Sequence, residues 1–225
     1  DLHSFPTRRS SDLVVAAKAV LVVYPNYYGV AFDLASVTAL AHARDMAVLV
    51  DEAHGPHLHF SEVLPPDALS CGADLVAQST HKMLGSLTQT SMLFRQGGRV
   101  SGEAVRRAAA LLTTTSPNYL LLASLDIARL QMAVYGVDLI GRAVRLAEGV
   151  RRVVNDTPGL WCFGEEYMGR PGAEALDVTK VTVQTAWLGL SGAVAADILR
   201  RDYRIACELT DANYQIGRAS CRERV

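Results

Sequence analysis

The sequence predicts an α/β fold: a largely parallel sheet with helices on both faces, followed by the start of a smaller α/β domain. Two observations carry this. Residues 19–24 (AVLVVY), 47–51 (AVLVD) and 74–78 (DLVAQ) are short runs whose interiors are apolar rather than alternating, with polar residues only at the ends of the second and third. Strands read that way when both sheet faces are covered, as in parallel sheets. Helical periodicity lies between the first two runs, the pattern of a βαβ layer.

The elements follow in order. Residues 19–24 form a strand stopped by Pro25-Asn26. Residues 33–45 place Leu34, Val37, Leu40 and Ala41 at helical spacing, with Asp33 as the N-cap. Residues 47–51 and 74–78 are the second and third strands, and 90–94 (TSMLF) the fourth. Residues 103–112, 119–135 and 137–154 read as helices, the second starting after Ser116-Pro117-Asn118. The turn cluster 156–159 (DTPG) is the domain boundary. Beyond it, 180–184 (KVTVQ) alternates like a strand, 191–201 is a helix, and 204–209 is a further strand. The large-domain portion is thus 14–155, and the smaller domain begins within 156–215.

The two ends stand apart. One DNA string that encodes His3 to Leu13 also encodes Ile216 to Val225 on its complementary strand. Unrelated protein termini do not obey that relation, so 1–13 and 216–225 are expected to be translated adapter and are set aside from fold reasoning. The chain between them is expected to be an internal fragment of a longer protein.

Composition restricts the function. Half the residues are hydrophobic and the net charge is −1, enough apolar material for a sizeable core and no bias toward a nucleic-acid or membrane partner. The Ala/Leu/Val stretches are broken by Lys18, Asp33, Arg44 and Asp51, so no uninterrupted run reaches a membrane span of about 20 residues. Cys71, Cys162 and Cys207 have no metal-ligand spacing and read as buried thiols of a cytosolic protein.

Chemistry in open parallel sheets gathers at the carboxyl ends of strands. Here those ends carry Pro25-Asn26-Tyr27-Tyr28-Gly29, Asp51-Glu52-Ala53-His54-Gly55 and Ser79-Thr80-His81-Lys82. An acid at one strand end and a lysine at another face one crevice. That suits a cofactor with a basic ring nitrogen and an aldehyde. Asp51 would keep the nitrogen protonated, and Lys82 would hold the aldehyde as an imine and yield it to a substrate amine. Ser79 and His81 are the candidate phosphate donors. Tyr27 and Tyr28 are candidates for lining the substrate crevice.

These motifs, YPNYYGV, VDEAHGPHLHF, LPP and GADLVAQSTHKMLGSLTQTSML, resemble the bacterial ornithine/lysine/arginine decarboxylases. The likeness continues through TTTSPNYLLLASLD, DVTKV and CELTD, and so covers nearly all of 14–215. It implies a pyridoxal 5'-phosphate-dependent transferase-like fold of type I and decarboxylation of ornithine, lysine or arginine to a di- or polyamine. It also implies a cytoplasmic homodimer or higher oligomer. By this resemblance Lys82, Asp51 and His81 are the catalytic candidates. Ala53 would pack on the cofactor ring, His54, Ser79 and His81 would complete its site, and Ser116 would reach the neighbouring subunit's site. The family's phosphate loop and its ring-stacking histidine would lie upstream of Val14. The isolated chain is therefore expected to bind cofactor weakly and not to turn over.

Other readings remain beside this one. Asp51 can simply cap a turn. His54, His57 and His59 have a spacing that metals use, but no further cysteine or carboxylate stands at suitable spacing, so they read as surface or active-site-rim histidines and no metal is expected. His42 reads as structural. An aminotransferase or acyl-CoA-condensing synthase shares the strand-end Asp-x-Ala-His, though the His81-Lys82 pair favours decarboxylases. The LVDEAH run also copies a DEAH-type nucleoside triphosphatase, but that chemistry needs a phosphate loop with Gly-Lys, a pair this chain lacks.

Overall fold

A computed structural model of the chain describes residues 17–218. The segment 1–13 and residues 219–225 of the tail therefore lie outside the described residues. Four strands make the first sheet, in the order β1–β3–β4–β5. They are β1 (Ala19–Val23), β3 (Ala47–Asp51), β4 (Leu75–Gln78) and β5 (Met92–Arg95). β3 pairs parallel with both β1 and β4, while β5 closes the edge antiparallel to β4. The sheet is thus largely parallel, as the apolar runs require.

Side-chain alternation divides this sheet into two faces. Val48, Val50 and Val76 are buried, with Val20, Val22 and Phe94 against them, in one core with Leu34 and Ala41 of α1 (Leu34–His42). Met132, Ile140 and Val144 of α4 (Tyr119–Asn155) join the same core. On the opposite face Leu21, Val23 and Leu93 are exposed. The helices start where their caps dictate. Asp33 accepts from the Ser36 amide in α1, Ser101 from Ala104 in α3 (Gly102–Leu112), and Asn118 from Leu120 and Leu121 in α4.

The periodic stretches 119–135 and 137–154 prove to be one helix of 37 residues. Gly136, the natural break between them, lies buried at its middle because Phe60 presses on it. A Cβ there would stand 2.5 Å from Phe60 Cδ1. By length and composition α4 is apolar enough to cross a membrane, although no uninterrupted apolar run does so. Asp126 and Arg129 pair across its surface at 2.8 Å, and the stripe from Ala128 through Met132, Gly136, Ile140 and Ala147 is buried against the protein.

Asp156, first residue of the expected boundary, caps the end of α4. The second sheet follows, in the order β6–β8–β10–β9 and antiparallel throughout. Its strands are β6 (Trp161–Cys162), β8 (Lys180–Gln184), β9 (Leu209–Thr210) and β10 (Tyr214–Arg218). α5 (Gly192–Tyr203) packs on β10. The strand expected over 204–209 falls later, because Arg204 takes a left-handed φ of 57° to end α5, and pairing resumes only at Leu209. β10 runs on through Ile216, Gly217 and Arg218, the first three residues of the segment set aside as tail, and Ile216 is buried. A two-stranded ladder, β2 (Val30–Ala31) with β7 (Ala175–Leu176), ties the smaller unit back to the end of β1.

Candidate active site

The three strand-end motifs meet at His54. Ser79 follows β4 and occupies the N-cap position of the single turn α2 (Thr80–Met83) without capping it through its side chain. That turn buries Thr80 and Met83 and leaves His81 and Lys82 half-exposed on the crevice side. Lys82 Nζ reaches to 3.3 Å from His54 Nε2, which comes from the end of β3. The Tyr27 ring, from the end of β1, lies 4.4 Å from the His54 ring, centroid to centroid.

Asp51 ends β3 on the open face of the sheet. Its register partners there are Val23 of β1 and Ala77 of β4. One carboxylate oxygen accepts from the Ala53 amide at 3.0 Å, which holds the small Ala53 beside it. Asp51 does cap a turn, and its exposed position leaves the carboxylate accessible as well. His81 donates from Nδ1 to the Thr90 carbonyl at 2.7 Å. Its Nε2 can therefore donate only when the ring is an imidazolium. Ser116 is not brought to this group; it is exposed on the loop between α3 and α4.

The histidines 54, 57 and 59 point three ways. His59 pairs with Asp67 at 3.0 Å, and His57 is neither a rim nor a surface residue but buried against Asp177 at 3.0 Å. Among the described residues no group of three or more ligands is placed to hold a metal. His42 has a structural partner, Asp74 at 2.8 Å. Tyr27 and Tyr28 extend to the small unit, donating to Glu208 at 3.2 Å and Asp211 at 2.6 Å.

Sequence reasoning passed over two groups. Glu52 is fully buried, accepting from the Ala68 amide at 2.7 Å and from Gln78 Nε2 at 2.6 Å. Burial pushes its carboxyl up to about 7 against those bonds, which pull it down. An acid so enclosed is not presented to the crevice, unlike its neighbour Asp51. The second group is a buried cluster of His57, Asp177, Thr179 and Lys180. Thr179 Oγ1 donates to Asp177 Oδ1 at 2.6 Å, and Lys180 Nζ stands 3.7 Å from Asp177 Oδ2. Burial alone would raise the Asp177 carboxyl; His57, Lys180 and Thr179 together hold it well below the usual carboxylate range. The sequence signal was there, an acid and a lysine three apart inside the apolar stretch DVTKV.

A largely parallel sheet tied to a smaller antiparallel unit is the fold of the type I pyridoxal-phosphate enzymes. The profile described as Orn/Lys/Arg decarboxylase, major domain, matches residues 6–216. The chain belongs to that family. It is 47% identical over 195 residues to an arginine decarboxylase of Halalkalibacterium halodurans, covering 87% of this chain and 40% of that protein. It is 30% identical over 175 residues to the constitutive lysine decarboxylase of Escherichia coli, covering 63% of this chain and 24% of that one. The solved lysine decarboxylase A of Pseudomonas aeruginosa shares the fold, with a TM-score of 0.74 at 21% identity over 93% of this chain and 35% of that one. The chain thus spans less than half the length of the curated relatives it matches.

Proposed function

We propose that this chain is the central part of a longer pyridoxal-phosphate enzyme that decarboxylates a basic amino acid to a di- or polyamine. Arginine is the first substrate to try, because the arginine decarboxylase relative is the more similar of the two. One observation carries the reading: Lys82, from the end of β4, places its amine beside His54 at the end of β3, the strand end that also carries the accessible Asp51 carboxylate.

The donor set fits the cofactor. Lys82 would hold it covalently, and Asp51 would hold a proton at its ring nitrogen. Ala53 offers a small surface to the ring, His54 orients the Lys82 amine, and the Ser79 hydroxyl and the His81 ring suit a phosphate. Bound pyridoxal phosphate supplies the electron sink for the pair left behind when the carboxylate departs. Asp51 makes that sink effective by keeping its charge next to the ring nitrogen. The open sheet face with Leu21 and Val23 would be covered by upstream residues of the longer protein, and the isolated chain would bind cofactor weakly.

The longer protein is proposed to be a cytoplasmic homodimer. Leu111, Leu112, Tyr119 and Leu120 flank the Ser116 loop and are 76–89% exposed, an apolar patch suited to a second copy. Sedimentation of the full-length protein as a monomer would contradict this. The activity is tested by supplying the full-length protein with pyridoxal phosphate and each of arginine, lysine and ornithine, and measuring carbon dioxide. Release from one of them supports the reading. Amino-group transfer without carbon dioxide would favour the aminotransferase alternative instead.

A further inference from the structure

We propose that Lys180 and Asp177 are positioning residues for Lys82, acting as one buried anchor for both members of the Lys82–His54 pair. The proposal rests on the assignment of Lys82 above and extends it to a segment with no role so far.

Lys180 is 2% exposed and Asp177 is fully buried. Charges at such a place need partners, and these two stand 3.7 Å apart. The ammonium also donates to Met83 Sδ at 3.0 Å. A thioether is a weak acceptor, and that contact does little to repay burial of a charged group. What it does is bring a fixed cation against the residue next to Lys82. The same carboxylate binds His57 at 3.0 Å, three residues after His54 on the same loop. Lys82 is thus tied to Asp177 through Met83 and Lys180, and His54 is tied to it through His57.

The anchor is itself held from two sides. Arg151 of α4 donates to the Val178 carbonyl at 2.8 Å and to the Lys180 carbonyl at 2.6 Å. Gly29, at φ +90°, lets the turn after β1 lie directly on the segment. A Cβ there would stand 2.7 Å from the Asp177 carbonyl oxygen and 2.9 Å from Lys180 Cγ. All three strand-end loops therefore lean on residues 177–180, and a shift of that segment changes the separation of Lys82 and His54.

The test uses the full-length protein and Lys180→Met, which keeps the stem and removes the charge. Lys180→Met/Asp177→Asn serves as a second variant, because removing both charges avoids stranding a buried one. Amide exchange is followed in the cofactor-free protein. With pyridoxal phosphate added, borohydride labelling at Lys82 and steady-state rates are followed. Exchange should quicken over 79–84 and not across β1, β3 and β4, and labelling of Lys82 should slow. The kcat should fall by about tenfold to a hundredfold, with KM changed less than about threefold, as a misplaced reacting group requires. Unchanged exchange over 79–84 overturns the proposal, as does a uniform rise across the core or an unchanged kcat per labelled site. If the unaltered protein takes no label at Lys82, the cofactor assignment fails, and the exchange over 79–84 alone then decides for or against the anchor.

Discussion

Lys82 Nζ lies 3.3 Å from His54 Nε2, and the two residues come from the ends of different, adjacent strands. When the amine is an ammonium it can only donate, and the His54 nitrogen facing it must then accept, with the ring proton on Nδ1. The Tyr27 ring against His54 supports that orientation. His54→Ala should leave Lys82 able to take the cofactor but poorly aimed. Expected is a fall in kcat of about tenfold to a hundredfold, with borohydride labelling of Lys82 retained. Loss of the label together with the rate would show that His54 is needed for attachment.

Asp51 has two tasks that substitution separates. Its carboxylate holds the Ala53 amide, and its charge is assigned to the cofactor ring nitrogen. Asp51→Asn keeps an acceptor for Ala53 and removes the charge; Asp51→Ala removes both. Both should lower kcat by about a hundredfold or more, while unfolding by urea should separate them, the Asn variant being the more stable. An Asn variant with the unaltered rate would show that Asp51 only caps the turn.

Glu52 should make stability depend on pH. Its folded pKa, about 7, lies above the ordinary 4.5, so the folded state holds a proton that the unfolded state releases first. That contribution is complete below about 4.5, falls as pH rises toward 7, and is absent above it, in all about 3 kcal/mol. Asp177 has the opposite sign. Its lowered pKa stabilises the fold above the ordinary 3.8, and that contribution is lost as pH falls through its depressed folded value. Urea unfolding between pH 4.5 and 8 should show the declining limb. Glu52→Gln should flatten it, with Gln78 turning its amide to face the new one. A limb unchanged in the variant would assign the decline to another group.

Gly136 is in α4 because of Phe60. Alanine would gain about 1 kcal/mol of helix propensity, but its Cβ would meet the Phe60 ring at 2.5 Å. Displacing a packed ring costs about 1–3 kcal/mol, so Gly136→Ala should lower the midpoint of urea unfolding. A higher midpoint would mean that Phe60 moves aside freely.

The residues that were legible in the sequence are those whose role is written in local pattern. The run AVLVD gave a strand at 47–51 because its interior is apolar and two of its residues are the strand former valine, and Asp33 and Asn118 announced their helices through short-range capping. Lys82 and Asp51 stood out because motif and strand end coincide. Gly136 misled because a glycine that breaks a helix and one that admits a ring look alike without the ring. His57 was read as a rim or surface group since its partner, Asp177, is 120 residues away. The anchor at 177–180 was hidden for the same reason: an ion pair inside an apolar stretch gains meaning only once Met83 and Gly29 are seen against it.

The most direct measurement adds pyridoxal phosphate to the full-length protein, reduces it with borohydride, and locates the phosphopyridoxyl group by peptide mapping. The label is expected on Lys82, with its loss in Lys82→Ala. A folded protein with no label, or with the label on another lysine, would contradict the assignment of Lys82 and the function built on it.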